Sequence, residues 1–463
     1  MITEKEARIF KKYDIECFDY TDYPHKSFWS EDMGDSQYRE ALTETFSKQH
    51  DATTLYVHIP FCVELCYFCI CHKEITRNQE KIKRHFYGSL VPEFDLLETH
   101  FEKTGIRPRI NEVYLGGGSP TILDYPEFDA LVEKIRRLVP IESLDRFNVE
   151  VDPRDVDEEK LRFYKSRGVN VISMGIQDFD LKVQEAVNRV QPLELVQERL
   201  RVARELFTSI NFDLLAGLPY QTEESMRKTV EQVVKLAPDR ISFDYFRYNE
   251  EFYPHMKLLK RMNAFPDFMA KRKILAMAAN GFAEAGYVRT GFEHFAKPDD
   301  RVAKALNHGT ATYTSLGAIT GNSLNVIATG RSGHGIIGDQ YLFQNHYDQS
   351  RFKRAIDAGE LPIYRGHRLS DDDIMRREII RKLRTYFFLD IEALESEHSL
   401  NFDRYFQREK EILSHFTNDG LVVLDQHRLT VTEDGLHFAE LVSSVFDAYT
   451  NKRLLAVLDS RRV

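Results

Sequence analysis

YVHIPFCVELCYFCICHK, residues 56–73, carries four of the chain's five cysteines within ten positions, directly after a run of β-branched and aromatic residues. TLYVHI (54–59) reads as a buried strand, and the cysteines as the loop leaving its C-terminal end. The same pattern recurs downstream. EVYLG (112–116), FNVEV (147–151), NVISMGI (170–176), NFDLLAG (211–217) and RISFDYF (240–246) read as further strands. Between them, residues 81–103, 125–138, 193–206 and 223–236 repeat apolar residues at helical spacing. This alternation predicts an α/β fold of βα units around a parallel sheet, closed as a barrel or doubly wound. Such folds place their chemistry in loops at the C-terminal ends of strands. The cysteines, GGGSP (116–120), EVDPR (150–154), GIQDF (175–179) and DLLAGLP (213–219) all fall at such ends.

The 463 residues, 42% hydrophobic, suffice for more than one domain. A net charge of -10 argues against a polyanion-binding surface, so nucleic acid is not an expected partner. No apolar run approaches the roughly 20 residues of a membrane span. MITEKEARIFKKYD lacks the apolar core of a secretory signal, and a cytoplasmic location is expected. In a reducing compartment, clustered cysteines read as metal ligands or catalytic groups, and the isolated Cys17 as a small buried residue. Four segments are expected: an aromatic-rich arm over 1–50 wrapping the barrel, the barrel over 51–291, a substrate-side or linker segment over 292–367, and a C-terminal unit over 368–463. The last orders as helix, helix, hairpin and helix, a winged-helix-like pattern whose interspersed charges read as solvated faces.

Cys62, Cys66 and Cys69 are spaced C-x3-C-x2-C, and Cys71 follows one residue later. Three thiolates in a loop suit a [4Fe–4S] cluster with one iron left open, while four suit a structural zinc ion. The spacing leaves both readings standing. GGGSP lets the backbone approach a ligand closely, and its amides could meet a carboxylate or ribose.

In order, the C-x3-C-x2-C loop, GGGSP, VEVDPR, SMGIQDF, VNR, DLLAGLP and HFAKPDD resemble the radical S-adenosylmethionine (SAM) superfamily. More narrowly they resemble the oxygen-independent coproporphyrinogen III dehydrogenase family, over almost the whole chain. The resemblance implies a partial (β/α)6 barrel with an N-terminal arm and a small helical C-terminal domain. It implies that Cys62, Cys66 and Cys69 ligate the cluster, that Tyr56, Gly117 and Glu150 contact a first SAM, and that Phe68, Gly118, Ser119, Gln177, Arg189 and Asp213 contact a second. A low-potential donor of flavodoxin or ferredoxin type is implied as electron source. Cys71 matches a family cysteine outside the ligand set.

Departures from the family concentrate on the substrate side. Where it reads PRYTSYP, this chain reads CFDYTDYP, with Asp19 in place of Arg. HRNFxGY followed by GxGxSAxS is replaced by LNHGTATYTSLGAITGNSLNVIATGRSGHGIIGD (306–339). Arg247 stands at an Ala position of the second SAM site, His334 at an Ile position of the first, and Ile70 at a Gly between Cys69 and Cys71. A substrate with four propionates needs cationic partners. Loss of two Arg-bearing motifs therefore leads to the expectation of a class C radical SAM methyltransferase. Its acceptor would be a low-charge aromatic or quinone, a menaquinone ring first, with peripheral membrane contact if that acceptor is a lipid. Cys71 and His334 are its candidate catalytic groups. Coproporphyrinogen III dehydrogenation and heme carriage are the alternatives.

Overall fold

A computed structural model describes residues 4–15, 17–18, 20, 22–48, 51–292, 294–314, 316–320 and 324–461. Asp19 lies outside the described residues. Six parallel strands follow the predicted runs: β1 (Ala52–Ile59), β2 (Arg109–Gly117), β3 (Arg146–Val151), β4 (Val171–Gln177), β5 (Ser209–Ala216) and β6 (Arg240–Tyr245). They hydrogen-bond in chain order, the arrangement expected when each helix packs back over the sheet and returns the chain beside its last strand.

The chain beyond β6 extends this sheet at both ends. β7 (Val288–Arg289) and β8 (His294–Ala296) continue it antiparallel beyond β6, and β9 (Asn325–Thr329) lies parallel to β1. Among the described residues the order is β9-β1-β2-β3-β4-β5-β6-β8-β7. Three further strands, β10 (His334–Ile337), β11 (Tyr341–Asn345) and β12 (Ile363–Arg368), form a separate antiparallel sheet beside the opening. Buried Glu93 ties the turn between β9 and β10 to the barrel, accepting from the Gly330 amide at 2.7 Å and from Asn345 Nδ2 at 2.6 Å.

Local chemistry explains the helices. Tyr125–Leu138 buries Phe128, Leu131, Val132 and Ile135 at i, i+3, i+4 and i+7. Glu223–Leu236 starts at a capping box in which Thr222 and Ser225 satisfy each other's backbone amides. The predicted helix over 81–103 is instead Gln79–His85 and Val91–Thr104, joined by a π-helical turn at Phe86–Leu90.

The arm divides its contacts. Its helix Asp35–Lys48 buries Tyr38, Leu42 and Phe46 in the barrel core, whereas Ile9, Tyr13, Tyr20 and Tyr23 join the C-terminal core. Tyr13 Oη donates to the His415 carbonyl at 2.7 Å, and Tyr20 Oη to Asp447 at 2.8 Å. The expected wrap over the barrel is therefore half a wrap, because the tyrosines find partners beyond residue 400. The C-terminal unit sets helices Asp371–Tyr386, Ile391–His398 and Gln407–Asn418 against a hairpin, Val422–Leu424 with Arg428–Val431. Among the described residues no helix is long and apolar enough to cross a membrane.

Candidate active site

Between the strand ends, the β10–β12 sheet and the C-terminal unit lies a cavity of about 1500 Å³. The cysteine loop leaves β1 at one end of it. Its base is closed by Phe61–Cys62 pairing with Glu74–Ile75, and Gly118 and Ser119 donate their amides to the Ile59 and Phe61 carbonyls, both at 2.8 Å. A side chain at Gly118 would sit 2.5 Å from the Phe61 carbonyl oxygen, so only glycine permits this zipper. GGGSP thus uses these amides to hold the loop rather than to cradle a ligand. Gly117, at φ 109°, leaves room for the His58 ring, which a Cβ there would strike at 2.7 Å.

Residues 187–189, the VNR motif, clamp the loop from the far side. The Val187 carbonyl accepts from the Tyr67 amide at 3.0 Å, and Asn188 Nδ2 donates to the Leu65 carbonyl at 2.9 Å. Arg189 Nη1 lies 3.5 Å from Cys66 Sγ and 2.8 Å from Asp152 Oδ2, and its Nη2 donates to the Gly175 carbonyl at 2.6 Å. Arg154 bridges the same Asp152 and reaches Cys66 Sγ at 3.9 Å. Two guanidinium groups thus border one sulfur. Lys73 Nζ and His255 Nε2 donate to the Cys69 carbonyl at 2.6 and 2.9 Å. Asn188, Arg154, Lys73 and His255 were not candidates from sequence; the VNR match named Asn188 without assigning it a task.

All four loop cysteines are free. No three of these sulfurs lie mutually within 4.8 Å, whereas thiolates sharing one zinc ion sit roughly 3.8 Å apart. Burial and then the neighbouring Cys69 and Cys66 sulfurs push the Cys62 thiol up. A hydrogen bond from Cys71 holds Cys69 down to about 6 and raises Cys71 well above its ordinary value. Cys71 is exposed and lines the cavity.

Opposite the loop, two carboxylates face inward. Glu150 on β3 accepts from Tyr114 Oη at 2.8 Å and from the Gly117 amide at 3.2 Å, and burial together with Asp213 pushes it up to about 7. Asp213 on β5 accepts from Asn211 Nδ2 at 2.7 Å and is raised by burial to about 6. Two acids held up by burial have room for a cationic ligand, and the sulfonium and ammonium of SAM fit that demand. Tyr56 Oη pairs with His58 Nδ1 at 2.9 Å, while His58 Nε2 donates to the His72 carbonyl at 2.9 Å. That bond fixes the tautomer, so Tyr56 is the donor to Nδ1. Burial keeps His58 neutral, at about 3.

The remaining candidates divide into two sets. Tyr56, Gly117, Glu150, Gln177, Asp213, Arg247 and His334 line the cavity with Cys71, and Gln177 does so from a strained φ of 67°. Phe68, Gly118, Ser119 and Arg189 lie behind that surface. Phe68 packs with Val183, Val187, Leu218 and Phe246, and buried Ser119 pairs with Thr121 at 2.6 Å. Arg247 ion-pairs with Glu440 of the C-terminal unit and lies over the Tyr245 ring at 4.2 Å.

Residues 56–233 match the Radical SAM superfamily, and residues 369–438 match the HemN C-terminal domain. The chain is 34% identical over 451 residues to the oxygen-independent coproporphyrinogen III oxidase of Pseudomonas aeruginosa, with 96% of each chain covered. To the protein of that name from Escherichia coli it is 32% identical over 452 residues, covering 97% of this chain and 96% of the other. Among solved structures, coproporphyrinogen III oxidase (HemN) from Escherichia coli, described as a radical SAM enzyme, is similar at a TM-score of 0.84 and 33% identity. That match covers 93% of this chain and 97% of the other.

These likenesses overturn the expected methyltransferase and its menaquinone acceptor. The lost arginine motifs do not leave a low-charge substrate face. Ten lysines and arginines line the cavity against five acidic residues. They come from the arm, the barrel, β12 and the C-terminal helix, where no contiguous motif announces them.

Proposed function

The chain belongs to the oxygen-independent coproporphyrinogen III oxidase family of radical SAM enzymes, and we propose that it converts propionate side chains of coproporphyrinogen III to vinyl groups with release of CO2. Its cofactors are a [4Fe–4S] cluster and SAM. The observation that carries the proposal is likeness along the whole chain to relatives named for that substrate. A cavity rich in cations supports it, since propionates must be paired when they leave water.

When bound, the reduced cluster supplies the electron that cleaves SAM to methionine and a 5′-deoxyadenosyl group able to take hydrogen from the substrate. Cys62, Cys66 and Cys69 would be its ligands, with Arg189 and Arg154 beside Cys66 Sγ and the 187–189 clamp fixing the loop. Cys71 donates its S–H to Cys69 from outside the ligand set. Glu150 would receive the positive groups of the first SAM, and Tyr56 with His58 shapes the same end. Gln177 and Asp213 would hold a second SAM, while Phe68, Gly118, Ser119 and Arg189 support that surface from behind and Arg247 braces it against Glu440. Hydrogen taken from a propionate β-carbon by that group would give 5′-deoxyadenosine, and the substrate would then become a vinyl group by losing CO2 and passing one electron to a one-electron acceptor. A flavodoxin- or ferredoxin-type donor supplies the first electron.

Anaerobic incubation of reconstituted protein with coproporphyrinogen III, SAM and a strong reductant tests this. Vinyl-bearing tetrapyrrole, CO2 and 5′-deoxyadenosine should rise together. Steady 5′-deoxyadenosine release with the four propionates left intact would reject the reaction.

A further inference from the structure

Arg146 opens β3 at the floor of the barrel, the end away from the cysteine loop, and lines the cavity together with Glu150 four residues later. Side chains at this spacing share one face of a strand, and the two positions stand about 13 Å apart along it. Arg146 is 7% exposed, and burial lowers it to about 10, which leaves the guanidinium charged at neutral pH. Glu112, beside it in register on β2, pairs with Arg301 at 2.6 Å, and Asp300 pairs with Arg240 at 2.9 Å. Three guanidinium groups thus share two carboxylates, and among the described residues Arg146 is the one left over.

Among the described residues no acceptor lies within hydrogen-bond distance of Arg146, and its Nε is buried without a partner. The Tyr114 ring lies 5.9 Å from the Arg146 Cζ, and Tyr114 Oη donates to Glu150 at 2.8 Å, so the phenol stands between the cation and the acid. Asn148, midway between Arg146 and Glu150 on the same face, is fully buried. Its Oδ1 accepts from Ser173 Oγ at 3.3 Å, while its Nδ2 has no partner. One face of β3 therefore carries two unmet donors. Water can satisfy an amide donor, whereas a buried guanidinium calls for an anion.

We propose that Arg146 is a carboxylate anchor at the floor of the barrel, binding one propionate of the tetrapyrrole through its guanidinium fork. The inference rests on the reaction proposed above and names a residue that recognises its substrate. A planar fork left without a protein partner suits a carboxylate, which it takes bidentately. SAM also carries a carboxylate, on the carbon that bears its ammonium, and Glu150 and Asp213 attract that end. The tetrapyrrole carries four carboxylates and no cation, so nothing in it opposes entry beside Arg146. The test separates the two sources.

Reconstituted holoenzyme is titrated with coproporphyrin III, followed by porphyrin fluorescence, with its tetramethyl ester as the uncharged probe and SAM measured separately. Arg146→Gln should weaken the tetra-acid about 10-fold and leave ester and SAM affinity within about twofold. Arg146→Lys, which keeps the charge without the fork, should restore part of the loss. In turnover Arg146→Gln should raise KM more than it lowers kcat. Without ligand, Arg146→Gln should hold or raise Tm, because it removes a buried charge that no protein group pairs, while the Tm gain on adding the tetra-acid should shrink. Unchanged tetra-acid affinity overturns the anchor, as does a loss confined to SAM or one shared by the ester. Failure of Arg146→Gln to fold marks a structural role and overturns it equally. Wild type that binds the tetra-acid without decarboxylating the porphyrinogen fails the reaction and keeps the anchor. Wild type that decarboxylates, with tetra-acid binding unimpaired in Arg146→Gln, fails the anchor alone.

Discussion

The cysteine loop and the barrel floor that carries Arg146 border the same cavity but are held together differently. The loop is secured by Lys73, its own neighbour, and by residues 187–189 of the barrel, which reach it through two backbone carbonyls and one sulfur. The floor gives Glu112 to Arg301 and Asp300 to Arg240, and leaves Arg146 without a partner among the described residues. Their charges also differ. Glu150 and Asp213 give the barrel interior beside the loop an acidic character suited to a cationic cofactor, while the floor offers a guanidinium suited to a carboxylate. That separation makes the two regions independently breakable.

The largest effect is expected on the loop. Cys66→Ala should remove cluster iron and lower SAM cleavage by about 1,000-fold or more, because a missing ligand leaves the cluster incomplete. Iron content and 5′-deoxyadenosine yield measure it. Arg189→Ala removes the guanidinium beside Cys66 while sparing all three ligands, and should cost roughly 10- to 100-fold in turnover with partial iron retention. Coproporphyrin affinity should be nearly unchanged in both variants if loop and floor are as separate as their contacts indicate.

Glu150→Gln sharpens the comparison from the acidic side. It should weaken SAM about 10-fold while leaving the tetra-acid porphyrin unaffected, the reverse of the pattern for Arg146→Gln. Equal losses of both ligands in either variant would dissolve the distinction between the two sides.

The smallest effect concerns the tie between the barrel and the β10–β12 sheet. Glu93 is raised from 4.5 to about 8 by burial, so the folded state binds its proton more tightly than the unfolded chain does. Its contribution is therefore greatest below pH 4.5 and is lost as pH rises from there through about 8. Glu93→Gln keeps an acceptor for the Gly330 amide and cannot ionise. Its Tm should gain on wild type between pH 5.5 and 8.5, and a gap that stays constant would remove Glu93 as the titrating group.

The contrast also explains what the sequence disclosed. β1 to β6 and the helices Tyr125–Leu138, Leu193–Leu206 and Glu223–Leu236 were legible because each buries a continuous apolar face whose period survives in a single window. The cysteine loop, Glu150 and Asp213 were legible because each belongs to a short run at a strand end. That Arg146 lacks a partner among the described residues was hidden, since no window contains both Glu112 and the Arg301 that takes it, and the electrostatic reading went wrong for the same reason. Asp19 and the rewritten 306–339 segment signalled lost cations, while Arg146, Arg365 and others supply them from elements whose convergence only the fold reveals. β9, the strand beside β1, escaped because NVIAT is short and sits within a glycine-rich stretch.

The central claim is that hydrogen is taken from the substrate's propionate side chains at this cavity. Coproporphyrinogen III deuterated at the propionate β-carbons tests it, with purified protein, SAM and reductant under anaerobic conditions. The account predicts deuterium in 5′-deoxyadenosine, matched by CO2 release and vinyl formation. Unlabelled 5′-deoxyadenosine with an intact tetrapyrrole, or S-adenosylhomocysteine with a methylated product, would contradict it.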